Sequence, residues 1–307
     1  GELLAHDLVP VVYHRGHLEG LRRAARLAGD AAPVRVHVKV DTGMARLGCL
    51  PRELPALLDD VRSLEGLHVD GVMTHFAMAD ADEPSLAHDE LQAQLRRFDA
   101  AVTTVRAAGH APRFLHASNS AALFRAHREG RFDNGAIDPR LDAVRPGIAL
   151  FGVDPTARDL DAVTPTGTRT LRPTLRMRTE VVALRTIEVG DAVGYGSTFR
   201  ATRRTTIATV PMGYADGLPR SLSNCGTMLI RGKRAPIVGA VSMDLCTLDV
   251  TDIDGARLRD EVVALGEQQG PLGSDRLSVQ EVARTAGLIP WDVMTSISRR
   301  VPRFFRT

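Results

Sequence analysis

Through the first half of the chain, short apolar runs alternate with segments of helical period. The runs fall at 8–13, 34–40, 67–74, 114–116 and 143–151. Strands alternating with helices read as βα units around a parallel sheet. The clearest helix carries Leu91, Leu95, Phe98, Val102 and Val105, spaced by three or four residues along one face, with Gly109 where a C-terminal cap belongs. Further helices are expected over 51–63 and from about 118–121. The polar stretch 125–142 reads as a loop inserted before the last strand of this half. Segment 154–173 has three prolines and no periodicity. It is the expected boundary between a domain over 1–160 and one over 161–307.

Beyond that boundary the period changes. Runs at 175–189, 205–210, 227–230, 237–250 and 261–265 are rich in Val, Ile and Thr, and Gly- or Asp-rich turns separate them. This pattern predicts an antiparallel sheet or small barrel. Ser278 and Glu281 form a capping box that opens a helix over 279–286, and a last strand is expected near 293–301.

Composition narrows the classes. A chain of 307 residues, 44% hydrophobic and 25% charged, is ordinary globular material with ample length for a core. A net charge of +2 provides no concentrated basic surface for nucleic acid. No run of apolar residues is long enough to span a membrane. Cys49, Cys225 and Cys246 are far apart and have neither zinc nor disulfide spacing, which suits a reducing cytoplasm. Of 39 basic residues only Lys39 and Lys233 are lysines, so any lysine-dependent chemistry has two candidates. The chain begins at Gly1.

The polar residues at the strand ends carry the candidate chemistry. The run H-V-K-V-D-T-G-M-A-R-L-G gathers Lys39, Asp41 and Arg46 at one end of the sheet, the end that bears the active site in βα-barrels. The next strand ends in T-H-F-A, where His75 is either a base or a structural hydrogen-bonding partner. In H-A-S-N-S, Asn119 and Ser120 open a helix. They suit a phosphate, or else form a plain N-cap. Arg145, in A-V-R-P-G-I, is a charge within an apolar strand. It needs an anionic or heteroaromatic ligand, or a structural ion pair. Gly147 allows a close backbone approach. In the second half, G-Y-G-S-T and G-Y-A-D-G display Tyr195 and Tyr214 on tight turns. V-S-M-D-L places Met243 and Asp244 within a strand, where a methionine is usually core filler. Together these point to a barrel-like domain that binds a phosphorylated ligand, followed by a β domain.

The ordered set K-V-D-T-G-M-x-R-L-G, T-H-F-A, N-S, R-P-G-I, G-Y-G-S-T, G-Y-A-D-G and V-S-M-D resembles the alanine racemases, fold-type III pyridoxal-phosphate enzymes, over nearly the whole chain. The resemblance implies a TIM-like barrel, with about five of its eight strands in this chain, followed by a C-terminal β-rich domain. It implies interconversion of L- and D-alanine with pyridoxal 5'-phosphate, supply of D-alanine for peptidoglycan, and a cytoplasmic homodimer with shared active sites and no nucleic-acid or membrane partner. By the resemblance, Tyr195 is one catalytic acid/base. Ser120, Gly147, Ile148 and Asn119 surround the phosphate, Tyr214 contacts the cofactor, Arg145 faces its ring nitrogen, and His75 supports that arrangement. Arg46 and the Met243 N–H take the substrate carboxylate, with Asp244 beside them. Lys39 matches a lysine often carbamylated in the family.

Two departures are visible. The family's Schiff-base lysine motif is absent, which implies that the segment bearing it precedes Gly1. Without it, the chain as given lacks the family's covalent attachment point. In addition, S-I-S-R-R-V-P-R places Arg299 where the family often has a phosphate-contacting tyrosine. The alternatives are a racemase of serine or a basic amino acid, and a non-catalytic homologue that binds the same cofactor.

Overall fold

The computed structural model describes residues 2–29, 33–64, 66–80, 84–128, 141–156 and 171–305. The chain divides into two compact units, one reaching Ala149 and the other running on from Leu150.

In the first unit a short helix α1 (Glu2–Ala5) precedes strand β1 (Val11–Val12) and helix α2 (Arg15–Ala28). Then follow β2 (Val34–Lys39), α3 (Leu54–Ser63), β3 (Leu67–Met73), α4 (Pro84–Ala107), β4 (Phe114–Asn119), α5 (Ser120–Arg128) and β5 (Ala143–Arg145). The strands form one sheet in the sequential order β1-β2-β3-β4-β5 with every pairing parallel, the wall of a TIM-like barrel. In β2 the valines at 34, 36 and 38 are buried in the core, as is Val40 just after it, while Arg35, His37 and Lys39 share the other face. The predicted face of α4 is buried at all five positions. Gly109 ends that helix with φ of 84° and donates to Arg106 O. Helix α2 escaped the sequence reading because Leu18, Leu21 and Ala25 are its thin apolar stripe among arginines.

Two expectations for this half are corrected. The expected strand over 143–151 stops at Arg145, because Pro146 and Gly147 break it, and a 3₁₀ turn (Ile148–Phe151) follows. The expected loop over 125–142 begins later, since α5 runs to Arg128. Residues 129–140 lie outside the described residues, as does 157–170 of the expected boundary.

The second unit contains β6 (Met177–Glu180), β7 (Ala183–Ile187), β8 (Ala192–Val193), β9 (Phe199–Arg200), β10 (Thr205–Val210), β11 (Thr227–Ile230), β12 (Lys233–Pro236), β13 (Cys246–Asp249), β14 (Glu261–Gly270) and β15 (Gly273–Leu277). Helices α6 (Val279–Ala286) and α7 (Pro290–Ser296) follow. All its strand pairings are antiparallel. The run 175–189 is split between sheets, with β6 on β14 and β7 on β10. Ser278 caps α6 as expected, accepting from Glu281 N–H at 3.0 Å. The expected last strand near 293–301 does not form: 293–296 are the end of α7, and 297–301 are bend and turn. Pro290 sits in the first turn with its φ already helical, and Asp292 favours that positive end. Of the expected strand over 237–250, only β13 forms. Val241–Leu245 is a tight turn in which Ser242 N–H donates to Leu245 O at 3.0 Å, so Met243 and Asp244 occupy its tip.

Packing energetics single out α4. Phe98 is fully buried between that helix and the sheet's core, so Phe98→Ala should cost about 3–5 kcal/mol in urea unfolding. Leu27→Ala, at a side chain 84% exposed, should stay within about 0.5 kcal/mol.

Candidate functional site

Because the first sheet is parallel and sequential, the segments leaving β2, β3, β4 and β5 emerge along one edge. After Lys39 the chain makes a closed loop. Asp41 N–H donates to Cys49 O and Cys49 N–H to Lys39 O, both at 2.9 Å. Within it, Asp41 Oδ1 accepts from the N–H groups of Gly43 and Met44 at 2.9 Å each. Burial works to raise the Asp41 carboxyl, but the amides of Gly43, Ala45, Met44 and Arg46 together hold it below the usual carboxylate range. A Cβ on Gly48 (φ 130°) would stand 2.6 Å from Asp41 N, so the loop closes only with glycine there. Arg46 projects from its rim, exposed. Lys39, half-buried beneath, has its pKa lowered by burial and by the charges of Arg46 and Arg145, against the opposing pull of Asp41.

Gln94 of α4 fixes the next strand end from behind. Its buried amide accepts from Ala77 N–H at 2.9 Å and donates to His75 O and to Thr42 Oγ1, each at 3.2 Å. Thr42 and Thr74 hydroxyls meet at 2.7 Å. One side chain thus sets the loops after β2 and β3 against each other.

Arg145 joins the remaining ends. Its guanidinium donates to the carbonyls of His116 (3.0 Å), Ala117 (3.0 Å) and Thr74. It also lies 2.8 Å from His116 Nδ1 and 3.3 Å from His75 Nδ1. Among the described residues no carboxylate pairs with it, so the structural ion pair is not realised. Burial lowers its pKa to about 10, which leaves it charged at neutral pH.

Since a guanidinium only donates, both Nδ1 atoms must accept. The His116 proton then sits on Nε2 and points to His37 Nδ1, 2.9 Å away. His75 and His116 are each pushed down to about 4, first by burial and then by the charge of Arg145. Arg46 and Lys39 add to the effect on His75, and His37 to that on His116. The His37 ring lies over Gly71, where a Cβ would come within 2.6 Å of it. Beside Gly71, the extra residue of a bulge in β3, Asp70, is buried and held by Arg113 in a bidentate pair of 2.6 and 2.9 Å.

Asn119 uses both polar ends on the protein. Its Oδ1 caps α5 by accepting from Ala122 N–H at 3.0 Å, and its Nδ2 donates to Phe76 O at 3.2 Å. Ser120 Oγ accepts from the N–H groups of Gly147 (2.9 Å) and Ala149 (3.3 Å), and Ile148 is buried between them. The first unit therefore brings together Lys39, Arg46, His75, Asn119, Ser120, Arg145 and Gly147. Sequence reasoning gave His37 and His116 no role. The signal was present in R-V-H-V-K, whose alternate residues put Arg35, His37 and Lys39 on one face.

In the second unit Tyr195 stands 76% exposed on a 3₁₀ turn flanked by Gly194 and Gly196, with φ of 71° and 73°. It borders a cleft of about 370 Å³ that Ala240, Ser242 and Leu245 also line. Tyr214 opens another turn, which docks on the Met243 tip: Tyr214 N–H donates to Ser242 O and Ala215 N–H to Met243 O, both at 3.0 Å. Met243 is 53% exposed, contrary to the core-filler reading, and its N–H has no acceptor among the described residues. Arg299 is exposed, whereas Arg300 is engaged by Asp216 and Asp244.

Against known families, residues 1–155 match the model described as alanine racemase, N-terminal domain, and residues 174–305 the one described as alanine racemase, C-terminal domain. A curated alanine racemase of Sorangium cellulosum is 50% identical over 305 residues, covering 99% of this chain and 74% of its own length. The alanine racemase structure from Streptomyces lavendulae superposes with a TM-score of 0.82 at 30% identity, covering 100% of this chain and 74% of that one. The Bartonella henselae alanine racemase, solved with covalently bound pyridoxal phosphate, gives 0.77 at 28% identity, covering 98% and 74%.

The depressed histidines fix a pH response. Unfolded histidine takes up a proton near pH 6.5, whereas His75 and His116 in the fold stay neutral down to about pH 4. Their contribution to stability is full above about pH 6.5 and is lost progressively as pH falls towards 4. Urea unfolding from about pH 7 to 5 should show this decline, and His116→Gln should reduce its slope. A pH-independent wild type would contradict the assignment.

Proposed function

The chain belongs to the alanine racemase family, pyridoxal-phosphate-dependent isomerases that interconvert L- and D-alanine, and we propose which of its residues carry that chemistry. Relatives named for alanine do not favour a racemase of another amino acid or a non-catalytic homologue.

The donor set fits the cofactor. Arg145 is a half-buried cation bound by carbonyls and neutral imidazoles, a suitable neighbour for an aromatic nitrogen. Gly147 borders open space, where an added Cβ would meet nothing within 4 Å. The Ser120 hydroxyl and the amides that converge on it suit a phosphate. When bound, pyridoxal phosphate supplies the sink for the electrons left behind as an amino acid loses its α-proton.

Ser120, Gly147 and Ile148 would hold the phosphate, with Asn119 anchoring the start of α5 beside them, and Tyr214 would line the pocket. Arg145 would face the ring nitrogen. Because it can donate a hydrogen bond but not readily a proton, it keeps that nitrogen unprotonated. His75 supports Arg145 from the side. Arg46 and the Met243 N–H would bind the substrate carboxylate, with Asp244 holding the Met243 tip. The lowered pKa of Lys39 favours its neutral amine, the form that adds carbon dioxide to give a carbamate and a proton. The resulting anion would balance Arg46.

Tyr195 would carry the proton on one face of the α-carbon. The observation behind this assignment is its turn. Gly194, Gly196 and Ser197, all at positive φ, hold out a phenol that contributes little to any core. The exposed Tyr195 and Leu245 on one cleft also support a homodimer in which the tyrosine serves the partner's site. Cytoplasmic residence, in keeping with three free cysteines, and supply of D-alanine for peptidoglycan belong to the same reading. So does the division into a cofactor-holding domain over 1–160 and a second domain over 161–307.

In the holoenzyme, Tyr195→Phe should lower kcat for alanine racemisation about 10²–10⁴-fold, with the absorption of the bound cofactor unchanged. Activity within about twofold of wild type would overturn the assignment.

A further inference from the structure

The turn carrying Tyr214 and the tip carrying Met243 touch through two backbone hydrogen bonds, and a third segment grips both. Arg300 Nε donates to Asp216 Oδ1 at 2.8 Å, and Arg300 Nη2 to Asp244 Oδ1 at 2.7 Å. The Asp216 carboxylate is doubly used, since its Oδ2 accepts from Gly213 N–H at 2.8 Å and so closes the Tyr214 turn. The chain around Arg300 follows the same turn: Ser298 N–H donates to Asp216 O at 3.1 Å, and Ser296 Oγ to Gly217 O at 3.0 Å. A Cβ on Gly217 would lie 2.6 Å from Ile297 Cα, which shows how closely the segments pack.

One planar guanidinium therefore spans two carboxylates, one on the Tyr214 turn and one next to Met243. We propose that Arg300 is a positioning residue that sets the Met243 N–H against Tyr214 and thereby fixes where the substrate carboxylate binds. This rests on the roles proposed above for Tyr214 and Met243. Arg300 and Asp244 are solvent-exposed, so their ion pair contributes little to folding, and Asp216, more covered, keeps its bond from Gly213 N–H without Arg300. A lysine replaces it only in part, because a single ammonium lacks the fork that reaches both acids. The groups it holds would bind the carboxylate equally in the ground and transition states, so their misplacement raises KM and spares kcat.

The test compares Arg300→Met, Arg300→Lys and Tyr214→Phe holoenzymes in alanine racemisation. Arg300→Met should raise KM about tenfold, with kcat within about twofold and Tm within about 3 °C. Arg300→Lys should recover only part of the loss. An unchanged KM, or a joint fall of kcat and Tm, overturns the proposal, as does full recovery by lysine. If Tyr214→Phe leaves both KM and cofactor affinity unchanged, the site reading fails and takes the proposal with it. If Tyr214→Phe matters and Arg300→Met does not, the Arg300 proposal alone fails.

Discussion

The first unit's site depends on a cation held, among the described residues, without a counter-ion. Removing a guanidinium from water costs several kcal/mol, normally offset by a carboxylate. Arg145 is instead compensated by the carbonyls of Thr74, His116 and Ala117 and by the lone pairs of two imidazoles. That choice ties the ends of β3, β4 and β5 together. It also forces His75 and His116 to remain neutral and fixes which of their nitrogens carries the proton. Compensation by dipoles leaves the positive charge unneutralised and available to a ligand, where an ion pair would have quenched it.

Other features serve the same edge. The amides of the loop after β2 hold Asp41 ionised, and Gln94 locks that loop to the end of β3. The nearest acid on the far side of the histidine pair, Asp70, is tied up by Arg113. Its charge still acts on His37, where it partly offsets the effect of burial. In the second unit the chemistry is displayed on turns rather than strands, and glycines at positive φ make Tyr195 stand out.

Much of this was legible in the sequence. The parallel strands, the α4 face and the α6 capping box follow from period and local chemistry, and the tyrosines displayed between glycines follow from turn residues. Illegible parts have physical reasons. β12 and β15 are built from K-R-A-P and G-S-D-R-L, which carry no apolar alternation because partner strands, not propensity, hold them in place. The last expected strand contained the apolar residues of one, but Pro290 committed it to a helix. Met243 looked like core because V-S-M-D-L is strand-like, and only the Ser242–Leu245 pairing turns it outward. The bond from Arg145 to His116 to His37 links three strands, so no single motif could contain it. Sequence similarity pointed to position 299 in the C-terminal run, whereas the geometry engages Arg300.

In the role proposed for it, Arg145, a donor with no proton to give readily, would leave the ring nitrogen of bound cofactor unprotonated. Nitrogen-15 NMR of holoenzyme loaded with ring-labelled pyridoxal phosphate measures this directly. The expected chemical shift is that of an unprotonated, hydrogen-bond-accepting pyridine nitrogen, moving towards the protonated value when Arg145→Glu supplies a carboxylate. A protonated pyridinium shift in the wild-type enzyme at neutral pH would contradict it.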